Sequence, residues 1–250
     1  MTHDEELYRQ YTARELKDDD TFQFECSMCS DCCQRLAEPV IVNGPDLFRI
    51  AKALQLSPAE AAQKYTVWNF GESSHLPVLT LRKWLDGSCR LLRKGRCTVQ
   101  QNKPAVCALF PLGRMYDAEE DRFRYFKNIF CDRAKRGTEA KTWTLKEWLD
   151  EFGLRETEED TRIWSRMMGG LGMVTVHMDV SEIDGLLLRL LFGGCYFLYD
   201  TTKPYPPQVE ANMEMLKEVL PEIVPTPKEI RLFEGCRARG GAALSRPHIS

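Results

Sequence analysis

The chain opens with twenty polar residues, expected to be frayed or loosely helical, and then changes period. Phe22 and Phe24 alternate with polar neighbours, which predicts a short extended segment. Residues 39–42 read as a brief strand ended by Asn43 and Gly44. From Pro45 onward Leu47, Ile50, Ala51 and Leu54 recur at helical spacing, the mark of a core-packing helix with proline at its first position. Ser57, Pro58 and Glu60 form a capping box that predicts a second helix to about Tyr65. Residues 66–70 and 78–81 are β-like, with a turn over 71–75 between them, and residues 123–126 read as another strand.

Beyond residue 138 the period is helical. Thr144 and Glu147 cap a helix through Phe152, with Gly153 as its stop. Thr157 and the acidic residues after it open another, whose Ile163, Trp164, Met167 and Met168 fall at helical spacing as core. Gly169 to Gly172 are expected to break it, and 174–176 to form a short strand. Residues 186–199 read equally as one helix or as a helix followed by a strand. Pro204 to Pro207 suggest a turn before a helix over 208–220. The fold class predicted is α+β: a loop-rich cysteine-cluster domain with short strands over 20–137, a mainly helical region over 138–236 packed on it as one unit, and a disordered tail over 237–250.

Cysteine usage changes this picture from a plain α+β domain to a chemical one. Ten cysteines in 250 residues fall short of the roughly 8–10% of a disulfide scaffold, and the chain is long enough to build its own core. The N-terminal stretch is charged and lacks an apolar run, so the expected location is the cytoplasm, where dense cysteine means metal or redox chemistry more than crosslinks. The longest apolar run, 185–199, is short for a membrane span and contains Arg189. A net charge of -3 and a pI near 5.9 argue against general nucleic-acid affinity. Neither a membrane nor a nucleic-acid partner is therefore expected.

Eight cysteines fall in four groups. Cys26, Cys29, Cys32 and Cys33 lie within eight residues; the first three have the C-x-x-C-x-x-C rhythm by which one loop turns successive sulfurs toward a centre. Cys33 breaks the rhythm, and the vicinal pair is expected to share one small ion only with strain. Cys89 and Cys97 would meet at the open end of a hairpin turning at Gly95, made basic by Arg90, Arg93, Lys94 and Arg96. Those cations are read as a solvated surface, as tuners of thiolate charge, or as a site for an anionic partner. Pro104 and Pro111 bracket Cys107, and Cys131 follows the 123–126 strand. All eight are candidate metal ligands. Cys195 and Cys236 are read as structural, and His75 as a solvated loop residue rather than a ligand.

Cys26-x2-Cys29-x2-Cys32-Cys33, Cys89-x7-Cys97 with Leu92 and Gly95, Val99, Pro104-x2-Cys107-x2-Phe110-Pro111 and Cys131 resemble the CxxCxxCC zinc- or iron-chelating domain family, also called YkgJ-type cysteine-cluster proteins. Gln100, Lys103 and Ala108 stand where the family pattern has a tyrosine and two arginines, and Cys131 opens CDRAKRG in place of a C-x-G-x-G turn. The resemblance implies a metal-chelating domain over about residues 20–137. The ligand rhythm favours a four-iron four-sulfur (4Fe-4S) cluster, with zinc as the alternative. The function expected is metal binding in metal or iron–sulfur handling or redox, with a protein partner as a further expectation. Flagellin lysine-N-methylase resembles the family in its cysteine cluster and implies a second reading, S-adenosylmethionine-dependent protein lysine methylation. A structural zinc interaction module is the third.

Overall fold

Capping side chains start the helices where the sequence predicts them. The computed structural model describes residues 15–27, 29–34, 39–72, 74–127, 140–183 and 185–219. β1 (Glu15–Leu16), β2 (Thr21–Gln23), the one-turn helix α1 (Asp31–Gln34) and β3 (Ile41–Val42) precede α2 (Gly44–Leu54) and α3 (Pro58–Tyr65). Next come β4 (Thr66–Phe70), β5 (Pro77–Leu81), β6 (Leu92–Arg93), β7 (Arg96–Cys97), α4 (Ala105–Leu109), β8 (Leu112–Asp117), β9 (Arg122–Lys127) and β10 (Thr142–Thr144). The remainder is α5 (Leu145–Glu151), α6 (Glu158–Thr175), α7 (Gly185–Phe192), a π-helical turn (Gly193–Phe197) and α8 (Tyr205–Val219). The fold is mixed α+β. Its strands form small antiparallel sheets ordered β1-β9-β8, β10-β2, β3-β5-β4 and β6-β7.

Asn43 Oδ1 accepts the Asp46 amide at 2.7 Å, Ser57 Oγ that of Glu60 at 3.3 Å, and Thr144 Oγ1 that of Glu147 at 3.1 Å. Each satisfies a donor that a helix start leaves without an intrahelical partner. Gly44 is required by close approach. A Cβ there would lie 2.4 Å from Trp164 Nε1 and 2.7 Å from the Cys195 carbonyl oxygen.

Two apolar cores follow, and each draws on both sides of residue 138. One gathers Leu47, Ile50, Leu79, Leu91, Met167, Leu171, Tyr196 and Leu216; the other gathers Phe22, Phe24, Leu109, Phe123, Leu145 and Trp148. Trp148 donates Nε1–H to the Leu109 carbonyl at 3.1 Å and meets Phe22 and Phe24 edge-on, tying α4 to α5.

The structure corrects several local expectations. Glu15 and Leu16 pair with Phe126 and Tyr125 as a strand instead of fraying. α6 runs unbroken through Gly169 to Gly172, and residues 174 and 175 close it instead of forming a strand. Met167, Leu171 and Thr175 recur every four residues on its buried face; that packing outweighs a penalty of about 1 kcal/mol per helical glycine. Residues 186–199 become a helix and then a π-helical turn, and α8 begins at Tyr205 with Pro206 and Pro207 in its first turn. Among the described residues no helix is long and apolar enough to cross a membrane. The tail over 237–250 lies outside the described residues.

Candidate metal centre

Ser30 turns the first cysteine run onto itself. At a φ of 56° it stands in the left-handed region, and its carbonyl accepts the amides of Cys33 and Gln34 at 2.9 Å each. This single turn is α1, which carries Cys32 and Cys33. Their sulfurs are 3.9 Å apart. Cys26 and Cys29 sit on the loop leading into α1, and Cys26 and Cys32 are exposed while Cys29 and Cys33 are half-buried.

The second group is attached to the first through the backbone. The Cys89 amide donates to the Cys33 carbonyl at 2.8 Å, and buried Cys89 Sγ accepts the Leu91 amide at 3.4 Å. From there the chain makes the expected hairpin. Leu92 faces Cys97 and Arg93 faces Arg96, with Lys94 at φ 49° and Gly95 at φ 74° between them. Two successive positive φ values give the tight turn whose twist suits a two-residue hairpin.

Cys107 arrives on α4. The Pro104 carbonyl accepts the amides of Cys107 at 2.8 Å and Ala108 at 3.0 Å. The Ala105 amide donates to Asp46 Oδ1 at 2.9 Å, a carboxylate only 2% exposed that also takes the Arg49 guanidinium at 2.6 Å. Asp46 and Lys103 escaped the sequence reading. The structure shows Asn43 and Asp46 capping α2 reciprocally, and nothing local in the sequence says that the Asp46 carboxylate also reaches fifty-nine positions along the chain to hold α4.

The electrostatics join five thiols into one group. Burial pushes the Cys107 thiol up to about 12, helped by the charges of Asp46, Cys89 and Cys97 and opposed by Lys103. Burial likewise raises Cys89 and Cys97, and each also responds to Cys32. The contact with Cys32 pushes the Cys33 thiol up, and burial and the charges of Cys32, Cys107 and Cys89 add to it. The Cys33 hydrogen bond pulls Cys32 down to about 6, against burial and with help from Lys103.

The structure therefore brings Cys32, Cys33, Cys89, Cys97 and Cys107 from three segments into mutual electrostatic reach. Among the described residues, no three Cys, His, Asp or Glu side chains stand where they would hold one metal ion. Cys131 and Cys236 lie outside the described residues. Cys195 is fully buried in the larger core, and its carbonyl accepts the Trp164 Nε1–H at 3.0 Å. His75, expected to be solvated, is held at the end of α6, with Nδ1 2.8 Å from the Met178 carbonyl and 3.1 Å from that of Thr175. Both partners are acceptors, so Nδ1 carries the proton.

This donor set fits a thiophilic metal. The grouped side chains are thiols, and soft thiolates select zinc or iron–sulfur centres over hard cations. Binding would displace the protons that burial keeps on these thiols.

No curated protein and no solved structure matches the chain. Residues 25–132 match the family model CxxCxxCC, described as "Putative zinc- or iron-chelating domain". That span contains the hairpin, α4 and the cysteine run, so the likeness to zinc- or iron-chelating domains lies over the segment that carries the grouped thiols.

Proposed function

We propose that the chain is a metal-handling module that chelates zinc or iron through Cys26, Cys29, Cys32, Cys33, Cys89, Cys97, Cys107 and Cys131. The observation that carries this reading is the approach of three separate cysteine segments, tied by the Cys89 amide on the Cys33 carbonyl. A fold with no use for these thiols has no reason to collect them, since their crowding and burial oppose ionisation. Within this reading, 20–137 is the chelating domain and the helices after it are its buttress.

Two forms of the metal are supported by different observations. Two sulfurs bonded at about 2.3 Å to one tetrahedral ion stand about 3.8 Å apart, and the Cys32 and Cys33 sulfurs are separated by 3.9 Å. That spacing favours a single ion at the vicinal pair, completed by sulfurs from the hairpin and α4. The C-x-x-C-x-x-C rhythm of Cys26, Cys29 and Cys32 favours instead a four-iron four-sulfur cluster, in which one loop supplies three sulfurs. Elemental analysis and visible absorption of protein purified without oxygen separate the two. Stoichiometric zinc without colour supports the single ion, and iron with matching sulfide and a brown chromophore supports the cluster. Neither metal above trace levels would overturn the proposal.

A further inference from the structure

Cations cluster at the hairpin of β6 and β7 and just before it. Among the described residues no carboxylate pairs with Arg90, Arg93, Lys94 or Arg96, whereas Arg49, Arg122, Arg124, Arg155, Arg162 and Arg166 each meet one. Arg90 and Arg93 instead lie over the ring of Trp84, their guanidinium carbons 4.4 and 5.1 Å from its centroid. Arg93, Lys94 and Arg96 are exposed.

Beside them stands a rigid apolar tip. The Trp84 amide donates to the Ser88 carbonyl at 2.7 Å and the Gly87 amide to the Trp84 carbonyl at 3.0 Å. Asp86 Oδ1 accepts the Ser88 amide at 2.9 Å and its hydroxyl at 2.6 Å. This turn displays Leu85 with its whole side chain in solvent, at 110% relative exposure, next to Trp84 at 38%. A leucine fixed on a hydrogen-bonded turn loses little freedom when a partner covers it. Cations around it would steer an acidic partner and set its register.

We propose that the 84–88 turn and the basic hairpin form a docking face for an acidic protein segment bearing an apolar side chain that packs on Leu85 and Trp84. The same hairpin carries Cys89 and Cys97, so the docked segment sits beside the thiols. Docking stands on the surface alone; that it serves metal exchange rests on the chelation reading above. An anionic membrane is disfavoured, because a tryptophan anchors a bilayer with a free ring at headgroup depth, and the Trp84 ring is engaged by two guanidiniums.

Selection of a random dodecapeptide display library on the full chain tests this. Enriched sequences should be rich in Asp and Glu around Leu, Ile or Phe. A synthetic copy should bind the Arg93→Glu/Lys94→Glu variant about tenfold more weakly than the parent and weaken as salt rises. Leu85→Ser should weaken it about tenfold, by loss of one buried apolar side chain. All three proteins should share one melting temperature, which separates docking from folding. Enrichment without acidic character, or peptides indifferent to both variants, would overturn the proposal, as would an empty selection. Sedimentation with phosphatidylserine vesicles, abolished by the same substitutions, would overturn it in favour of a membrane. Peptide binding by protein that, purified without oxygen, holds neither zinc nor iron above trace levels would leave the docking face standing while the chelation reading fell.

Discussion

Asp46 Oδ1 accepts the Ala105 amide at 2.9 Å, so a carboxylate in the first turn of one helix caps another that carries Cys107 two residues on. The contact joins α2, packed in the larger core, to α4, packed in the smaller. The candidate metal centre is thus built at the seam between the cores. Asp46→Ala would strand the Ala105 amide and the Arg49 guanidinium. We expect a loss of about 2–3 kcal/mol, the range for a buried hydrogen bond to a charged group, with Asp46→Asn costing less because it keeps an acceptor. Urea unfolding of both variants measures this; an Ala variant as stable as the parent would show that α4 is held by other contacts.

Cys29→Ser and Cys97→Ser test whether the first run and the hairpin serve one site. With a shared site each substitution lowers total metal and also the melting temperature, because metal held only by the assembled segments contributes its binding energy to folding, on the order of 10 kcal/mol for structural zinc in peptides. Full metal and the parent melting temperature in Cys97→Ser would remove the hairpin from the ligand set.

Gly44→Ala should be among the costliest glycine substitutions here. Its methyl group would overlap Trp164 and the Cys195 carbonyl, which are themselves hydrogen-bonded at 3.0 Å. Overpacking of this kind costs about 1–3 kcal/mol. Gly113→Ala is the control, since nothing lies within 4 Å of its added methyl. Equal thermal stability of the two variants would refute the steric account.

Acid should loosen the β8–β9 end of the smaller core. Burial works against the charge of Asp117, but the amides of Glu120 and Glu119 at 3.0 Å each and Arg124 at 2.5 Å outweigh it, holding the carboxyl below its ordinary range. Asp121 is lowered too, with burial again opposed, here by the Tyr116 hydroxyl at 2.7 Å and by Arg166 and Arg162. A carboxyl depressed in the folded state contributes stability that is full above its unfolded value, about 3.9, and is lost as pH falls through the lower folded value. The urea midpoint should therefore fall more steeply below about pH 4 in the parent than in Asp117→Asn/Asp121→Asn. Parallel profiles would contradict this.

The sequence by itself determined where α2, α3 and α5 begin, because Pro45 suits a first helical turn and Ser57 and Thr144 cap through atoms three residues away. It also determined the hairpin at Gly95, whose turn chemistry is local, and the likeness of residues 25–132 to a chelating-domain family, whose cysteine spacing is written in the chain. Tertiary structure decided the rest. The glycines of α6 stay helical because one face of that helix is buried, a fact about neighbours that a local window does not contain. His75 finds carbonyls a hundred positions away, and Asp46 finds α4. The grouping of Cys33, Cys89 and Cys107 likewise depends on long-range backbone hydrogen bonds and on two cores meeting. Cysteine spacing names the donors, but only packing brings distant donors together, because its energy comes from surfaces that are far apart in the chain.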